Sequence, residues 1–363
     1  MPEPPSYHAA RHASAFVDLS ARGRLAVVGA DRASYLQGLL TNDIEALSSG
    51  EGCYGTHLTP QGRMLADMQV LNLGDELLLD VHPTVTSMLV DRFREFVFAE
   101  DVTVEDRTAR WVAIGVHGPE SARLVSKVVR PSVGDGPAPV GADELGEYPE
   151  YRQRVGHFQG VPVVTARSDE IGEVGFTLYA DAGVSAALEE ALAKAGATKL
   201  DAATFDLLRV ESGRPAFPAD MNHKTIPLEA GIEDRAISLS KGCYVGQEVI
   251  IRILHRGGGR VGRRLVGLTF EPHAEPPVAG ATLTARRRAG GARSPDGADE
   301  QVVGAVTSSV RSPALNRPIA LGYVKRQLAE PDTELVATHG ERQLSCVVTR
   351  RPFLALPNAV QTV

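Results

Sequence analysis

The feature that most constrains the fold of this chain is a change of sequence pattern near Val261. Before that residue, apolar side chains recur at both helix and strand spacing. After it, short runs of Val, Leu and Thr are separated by Gly, Pro and Asn, and helical periodicity disappears. Short strands with such breaks are typical of a β-barrel or sandwich. We therefore expect an α+β body over residues 1–262, made of two interleaved subdomains, and a C-terminal β-barrel domain over residues 263–363.

The body is expected to mix strands and helices. Apolar spacing predicts strands at 24–29, 68–73, 77–81 and 111–116. Helices are predicted after Asp31, which would cap the first of them, from about Thr84, at 184–194 and at 201–211. Two segments with few large apolar residues are expected to be irregular, namely a surface loop at 131–147 and a mobile hairpin tip at 286–300.

Length and charge limit the function classes. A chain of 363 residues exceeds one ordinary hydrophobic core, so two or three domains are expected. The net charge of −7 and the pI near 5.8 do not suit a protein that coats nucleic acid or an anionic membrane. Any polyanion would have to bind at a local basic patch.

The location is expected to be the cytoplasm. No apolar run reaches the roughly 20 residues that span a bilayer, and Met1–Pro5 lacks the features of a signal peptide. The three cysteines, Cys53, Cys243 and Cys346, are odd in number and far apart, which fits a reducing compartment. At that spacing they cannot alone form a four-thiolate zinc or iron–sulfur site.

Cys243 is the residue with the clearest potential for chemistry. Gly242 and Gly246 flank it and allow a tight turn that exposes its side chain. Lys241 is close enough to favour the thiolate, which is the nucleophilic and metal-binding form. The alternative is that Cys243 is a small buried apolar residue, as free cysteines usually are. The basic run from Arg252 to Arg264 that follows is expected to be a solvated loop, or else a binding site for a negatively charged tail.

Other common sites are not predicted. His117 and His255 have no partner at metal-ligand spacing, and no zinc site is expected there. The chain contains neither a phosphate-binding loop followed by Lys and Ser or Thr nor a Gly-x-Ser-x-Gly elbow.

The segment Lys241–Glu248 reads KGCYVGQE and resembles the K-G-C-[YF]-x-G-Q-E motif of the YgfZ family. That family comprises folate-binding proteins of iron–sulfur cluster maintenance, and it is related to the glycine-cleavage aminomethyltransferase. Weaker resemblances to the transferase follow in matching order along most of the chain; they are residues 29–43, 59–67, 172–176, 208–213, 227–231 and 352–353.

The resemblance implies an aminomethyltransferase-like fold, α+β in class, with three domains in a ring around a central folate channel. Tetrahydrofolate or a derivative is the implied cofactor. Glu173 would accept the adjacent N–H donors of the pterin, with an exposed turn residue as the alternative. Arg209 would bind a carboxylate, with a structural ion pair as the alternative. The folate-site residues expected from the motif segment are Tyr244, Gly246, Gln247, Glu248 and Arg252.

One departure from the transferases bears on the chemistry. They carry two adjacent acids in the element that reads Ala66-Asp67 here, so one acid remains. Transfer of a one-carbon unit needs a placed carboxylate. The first hypothesis is therefore a folate-binding accessory protein for iron–sulfur clusters, with Cys243 as the working thiol and other iron–sulfur proteins as partners. The second is a folate-dependent transferase or demethylase that uses Asp67, and the third is a folate-dependent partner in transfer RNA modification.

Overall fold

The computed structural model describes residues 3–131, 141–286 and 300–357. Its helices are α1 Pro5–His12, α2 Arg32–Leu39, α3 Thr86–Glu95, α4 Ser121–Val128, α5 Ala142–Gly146, α6 Ser185–Lys194, α7 Ala202–Glu211, α8 Pro227–Ala230, α9 Glu233–Ala236 and α10 Gln247–His255. Short 3₁₀ turns occupy Pro83–Val85, Ala182–Val184 and Arg326–Leu328.

Eighteen strands are present in the described residues. The strands of the body are β1 Ala15–Asp18, β2 Gly23–Val28, β3 Gly52–Leu58, β4 Met64–Asn72, β5 Glu76–Val81, β6 Thr103–Asp106, β7 Trp111–His117, β8 Arg130–Pro131, β9 Gln153–Phe158, β10 Val161–Arg167, β11 Gly175–Asp181 and β12 Thr198–Lys199. Those of the C-terminal part are β13 Arg263–Phe270, β14 Thr282–Arg286, β15 Glu300–Ser312, β16 Arg317–Lys325, β17 Glu334–His339 and β18 Arg342–Thr349.

The body contains two sheets. The five-stranded sheet has the order β3-β4-β5-β2-β6 and is antiparallel throughout. The seven-stranded sheet has the order β12-β1-β7-β11-β10-β9-β8, and its one parallel pair is β1 with β12. One hydrophobic core joins the five-stranded sheet to α2, α3 and α9 and also includes Tyr179 of β11, so the two sheets pack together.

The C-terminal strands close into a six-stranded barrel in the order β13-β16-β15-β14-β17-β18, with β18 pairing back onto β13. Closure removes the exposed sheet edges that an open sheet of this size would leave. The predicted α+β body and C-terminal barrel are therefore confirmed. The exact boundary at residues 262 and 263 stays a proposal, which the start of β13 at Arg263 supports.

Local predictions in the body met mixed outcomes. The hairpin around Gly74-Asp75 is present as β4 and β5, and the helix at 201–211 is α7, with the Asp201 side chain accepting a hydrogen bond from the Thr204 amide at 2.7 Å. Asp31 does stand before α2, but its carboxylate accepts from the Asp101 amide instead of capping the helix.

Of the two segments expected to be irregular, the first needs correction and the second lies almost entirely outside the described residues. The segment 131–147 is not a loop throughout, because α5 forms within it, while residues 132–140 lie outside the described residues. The expected hairpin tip at 286–300 also lies almost entirely outside them. No helix in the described part of the chain has the length and apolar character needed to cross a bilayer.

Candidate functional site

Cys243 lies at the surface, in the loop that leads into α10. Its side chain is exposed, whereas Cys53 is partly buried and Cys346 is buried. Burial raises the pKa of both Cys53 and Cys346 to about 12, so neither is a ready nucleophile at neutral pH. Among the three thiols of the chain, Cys243 is thus the one that a solute or a partner protein can reach directly.

Lys241 fixes the start of this loop. Its ammonium donates three hydrogen bonds to backbone carbonyl oxygens at the end of α2, to Gln37 at 2.6 Å, Leu40 at 2.7 Å and Asn42 at 2.8 Å. Burial lowers the pKa of Lys241 to about 8, although the nearby Asp43, Cys53 and Glu45 favour the charged form. All three of its donors are used, so the structure gives Lys241 an anchoring position, and its expected effect on the Cys243 thiol stays a prediction.

Gly246 fixes the other end of the loop. Its φ is +84°, and a Cβ at this position would lie 2.5 Å from the carbonyl oxygen of Thr59, in the turn between β3 and β4. Gly62 of the same turn, at φ +72°, lies against Gly246 and Val249. At Gly242, next to Cys243, an added Cβ would meet no atom within 4 Å. The loop is therefore packed closely at Gly246 and open at the cysteine.

The remaining motif residues spread over different environments. Tyr244 is buried, its ring lies 5.2 Å from the Lys241 ammonium, and its hydroxyl has no hydrogen-bond partner in the described part of the chain. Gln247 is partly buried at the start of α10, whereas Glu248 and Arg252 are exposed on the same helix. The solvated loop expected from Arg252 onward is thus wrong in its first part, since α10 runs to His255.

Asp67 defines a second group of side chains, inside the body. It lies on β4, is partly exposed, and accepts a 2.6 Å hydrogen bond from the Tyr54 hydroxyl of β3. Burial raises the pKa of Asp67 above its usual range, although the Tyr54 hydroxyl, Arg22 and Arg235 favour the charged form. Asp67 therefore interacts electrostatically with two cations.

The Arg22 side of this group is an ion-pair network between the two sheets. Arg22 donates to Asp80 of β5 at 2.5 Å and to Glu170 at 2.7 Å. Tyr179 of β11 donates to the other oxygen of Asp80 at 2.7 Å, and Gln69 of β4 donates to Glu170 at 2.6 Å. Burial raises the pKa of Glu170, but Arg22 outweighs that effect and the net shift is downward.

The Arg235 side comes from α9 and from the segment before β9. Arg235 donates to the Tyr151 hydroxyl at 2.5 Å and lies over the Tyr54 ring at 4.8 Å. Glu150 pairs with Arg214 at 2.6 Å and with Arg235 at 3.5 Å. Tyr151 is held at φ +70°, which is uncommon for a residue with a Cβ and is found preferentially at functional positions.

These residues form what we call the central polar cluster, defined as Arg22, Asp67, Glu150, Glu170, Arg214 and Arg235. It contains three positive and three negative side chains, and Asp80, which pairs with Arg22, adds a fourth negative charge. Unused hydrogen-bonding atoms border it. Gln69 Oε1, both ring nitrogens of His117 and the Ser168 hydroxyl are buried without a partner among the described residues.

Buried polar atoms in a folded protein are nearly always paired, so these unused atoms are ones that a water or a polar ligand would pair with. Burial also lowers the pKa of His117 to about 4, so its ring is neutral at pH 7 and can both donate and accept a hydrogen bond. Carboxylates, a neutral imidazole and an amide oxygen suit a heterocycle that presents both donors and acceptors, and the residues present therefore fit a folate head group.

Glu173 belongs to a different buried network, which the side chains of α1 form with Glu173 and Glu211. Arg11 of α1 donates to Glu173 at 3.2 Å and to Glu211 at 2.7 Å, and the Tyr7 hydroxyl also donates to Glu211 at 2.9 Å. Burial raises the pKa of Glu173, and Arg11 opposes that shift. The alternative of an exposed turn residue is wrong, because Glu173 is buried.

Arg209 connects the body to the barrel. It is buried and donates to Asp206 at 2.8 Å, to Asp220 at 2.7 Å and to Ser308 of β15 at 3.1 Å. Ser308 in turn donates to Asp220 at 2.8 Å. The structure therefore gives Arg209 the surroundings of the structural ion pair that was the alternative to a folate contact.

The sequence-based candidates thus fall into separate places. Asn42 connects the loop from Lys241 to Gly246 with the interior of the body. Its backbone carbonyl accepts a hydrogen bond from Lys241, and its side-chain amide donates to the backbone carbonyl of Tyr54 at 2.8 Å. Glu173 and Arg209 belong to other networks. Sequence reasoning missed Arg22, Tyr54, Glu150, Glu170 and Arg235, because their partners are far away in the chain; a β3–β4 register would have placed Tyr54 diagonally across from Asp67.

A cleft of about 520 Å³ lies elsewhere, between α8, α9 and the barrel. Charged residues of both signs line it, including Glu229, Glu233, Arg264 and Arg326. Of the sequence-based candidates, Arg264 at the end of the basic run lines this cleft, whereas Cys243, Asp67, Glu173 and Arg209 do not.

Comparison with known proteins identifies the class. The structure superposes on the glycine cleavage system aminomethyltransferase T from Bartonella henselae with a TM-score of 0.80, at 21% identity, over 98% of this chain and 90% of that chain. The α+β body and the closed barrel therefore have an aminomethyltransferase-like fold.

The chain belongs to the glycine cleavage T-protein family. The family model of the GCVT N-terminal domain matches residues 5–241, and that of the glycine cleavage T-protein C-terminal barrel domain matches residues 263–354. A chloroplastic protein of Arabidopsis thaliana named as a transferase is 30% identical over 93% of this chain and 71% of its own length. The aminomethyltransferase of Cutibacterium acnes is 30% identical over 96% of this chain and 89% of its own length. Aminomethyltransferases of this family use tetrahydrofolate.

Proposed function

We propose that this protein is a folate-binding accessory protein of the YgfZ type, which supports the synthesis or repair of iron–sulfur clusters in other proteins. Cys243 is its working thiol. The observation that carries the proposal is that Cys243 is exposed while the loop around it is fixed, at one end by the three hydrogen bonds of Lys241 and at the other by the close packing of Gly246. A thiol presented on a rigid loop suits transient contact with a partner's metal centre or with its redox groups.

The central polar cluster is the proposed folate site. The unused polar atoms of Gln69, His117 and Ser168 and the partly exposed Asp67 support binding of a polar heterocycle there. A bound folate supplies a one-carbon carrier. The residues of this chain would bind and orient it, and Asp67 would hold or release a proton near the head group.

Glu173 is a second proposed contact for the pterin, with a condition that the structure adds. Because Arg11 already donates to Glu173 at 3.2 Å, a ligand that uses this carboxylate must either share it with Arg11 or displace that guanidinium. The central polar cluster and Glu173 are thus two separate candidate contacts for folate. Substitutions in each of them distinguish which one the ligand uses.

Calorimetric titration with tetrahydrofolate tests the folate site. We expect micromolar binding, about −8 kcal/mol, by the unmodified protein. Glu173→Gln keeps the size of the side chain and its acceptor oxygen for Arg11, and the exposed Glu271→Gln is a matched control. Loss of affinity in Glu173→Gln but not in the control supports the Glu173 contact. Loss in Asp67→Asn alone assigns binding to the central polar cluster, and absence of binding by every form contradicts the folate proposal.

A second candidate is a tetrahydrofolate-dependent aminomethyltransferase or demethylase that uses Asp67. The hydrogen bond from Tyr54 and the two nearby cations favour it, since they hold one carboxylate in a defined position. Turnover of an aminomethyl or methyl donor that Asp67→Asn abolishes and Cys243→Ala preserves would support this function over the first. Partnership in transfer RNA modification and a cytoplasmic location stay predictions without a supporting contact.

A further inference from the structure

The exposed face of α1 brings three metal-binding side chains together. Glu3, His8 and His12 each offer one ligand atom, and these atoms all lie within 4.8 Å of one another. The two imidazole rings are one helical turn apart, with centroids separated by 4.6 Å. All three side chains are exposed, so an ion has free access to them.

The opposite face of α1 is fixed to the body. Tyr7 and Ala10 are almost fully buried, and Arg11 is bound to both Glu173 and Glu211. Because the helix cannot rotate without breaking these contacts, its two histidines are presented at a constant spacing. Fixing ligands in advance reduces the entropy that binding must overcome.

The chain before the histidines is also restricted. Pro4 directly precedes α1 and Pro5 is its first residue, and each proline fixes its own φ. The backbone that leads from Glu3 into the helix is therefore restricted, and the Glu3 carboxylate lies within 4.8 Å of the histidine ligand atoms. Three donors on one tetrahedral zinc ion lie about 3.4 Å apart, so rotations of exposed side chains are enough to close the site.

We propose that Glu3, His8 and His12 form a binding site for a divalent transition-metal ion of the zinc class. Imidazole nitrogens suit zinc, copper and nickel, and a carboxylate completes a set of three protein ligands with one position left for water. The site does not require the folate or thiol proposal, although an ion there would act on Arg11, the partner of one proposed folate contact, Glu173. Because α1 also carries Arg11, an ion that stabilises the helix would hold the Arg11–Glu173 contact closed.

Zinc titration of the full chain by calorimetry tests the site, carried out in a Cys243→Ser background because an exposed thiol also binds zinc. We expect one saturable site. The double variant His8→Ala/His12→Ala should lower the affinity by at least about tenfold, the effect that even outer-shell changes have. Glu3→Gln should weaken binding to a smaller extent.

The matched control is the double variant His223→Ala/His255→Ala, which removes two exposed histidines elsewhere. It should leave the affinity unchanged. A rise of the thermal midpoint with zinc should occur in the control and be absent from the His8/His12 variant, while both unfold at the same temperature without metal. Equal binding by the two double variants, or no saturable site in the Cys243→Ser protein, would overturn the proposal.

Discussion

The Tyr54 hydroxyl donates a 2.6 Å hydrogen bond to Asp67 across strands β3 and β4, and two cations, Arg22 and Arg235, also favour the charged carboxylate. A carboxyl group in the interior is thereby oriented, and it keeps partial access to solvent. The same two strands carry at their turn the contact with Gly246, which positions the loop of Cys243. The β3–β4 hairpin thus carries the interior acid, Asp67, and contacts through its turn the loop that presents Cys243.

Asp67→Asn should stabilise the fold at pH 7. Burial raises the pKa of the Asp67 carboxyl group in the folded state, so the unfolded chain loses the carboxyl proton at a lower pH than the folded protein does. Above the pKa of the unfolded chain, ionisation of Asp67 therefore lowers the stability of the fold. Urea unfolding of the variant should therefore give a larger free energy than that of the unmodified protein at pH 7, and the difference should shrink as the pH falls toward about 4. Asp75→Asn, in the exposed β4–β5 turn, is the control. A variant that is less stable at pH 7 would contradict this assignment.

Lys241→Met should destabilise the protein by about 2–4 kcal/mol. It removes three hydrogen bonds from a charged donor and leaves the carbonyl oxygens of Gln37, Leu40 and Asn42 without that partner. Urea unfolding measures the loss, and Lys127→Met, on the exposed face of α4, should be close to neutral. Equal stability of the two variants would show that Lys241 does not anchor the loop.

A thiol reagent should label one cysteine rapidly in the native protein. Cys243 is exposed, whereas Cys53 and Cys346 are shielded and have a pKa raised to about 12. Dithionitrobenzoate should thus release one fast equivalent, and Cys243→Ala should abolish that phase without lowering stability. After unfolding, all three thiols should react. A fast phase that persists in Cys243→Ala would contradict the exposure assigned here.

Gly246→Ala and Gly242→Ala should differ sharply although they flank the same cysteine. At Gly246 the φ of +84° is unfavourable for alanine, and a Cβ would lie 2.5 Å from the Thr59 oxygen. We expect a loss of about 1–3 kcal/mol there and faster or slower labelling of Cys243 as the loop shifts. At Gly242, where an added Cβ would meet no atom within 4 Å, both properties should stay close to those of the unmodified protein. Similar thermal midpoints for the two variants would argue against the packing of Gly246.

The elements that sequence patterns predicted well are those set by local spacing and caps. The β4–β5 hairpin, the Asp201 cap of α7 and the barrel strands all depend on residues near one another in the chain. The helix α10 was not predicted, because its apolar residues Ile250, Ile253 and Leu254 are interspersed with the basic residues that are typical of a solvated loop.

The site was harder to predict because its contacts are distant in sequence. Arg11 meets Glu211 across 200 positions, and Arg22 meets Glu170 across 148. No local pattern signals which arginine will pair with which acid. Cys243 was found through its motif, whereas the central polar cluster required the packing of the two sheets.

The proposed function requires the Cys243 thiol for the support of iron–sulfur proteins. The most direct measurement is the activity of iron–sulfur enzymes in cells that lack this protein and carry either Cys243→Ala or Asp67→Asn. We expect Cys243→Ala to be folded and to bind tetrahydrofolate but to leave those activities unrestored, whereas Asp67→Asn, which keeps the thiol, should restore them if folate still binds. Full restoration by Cys243→Ala would contradict the proposed role of the thiol.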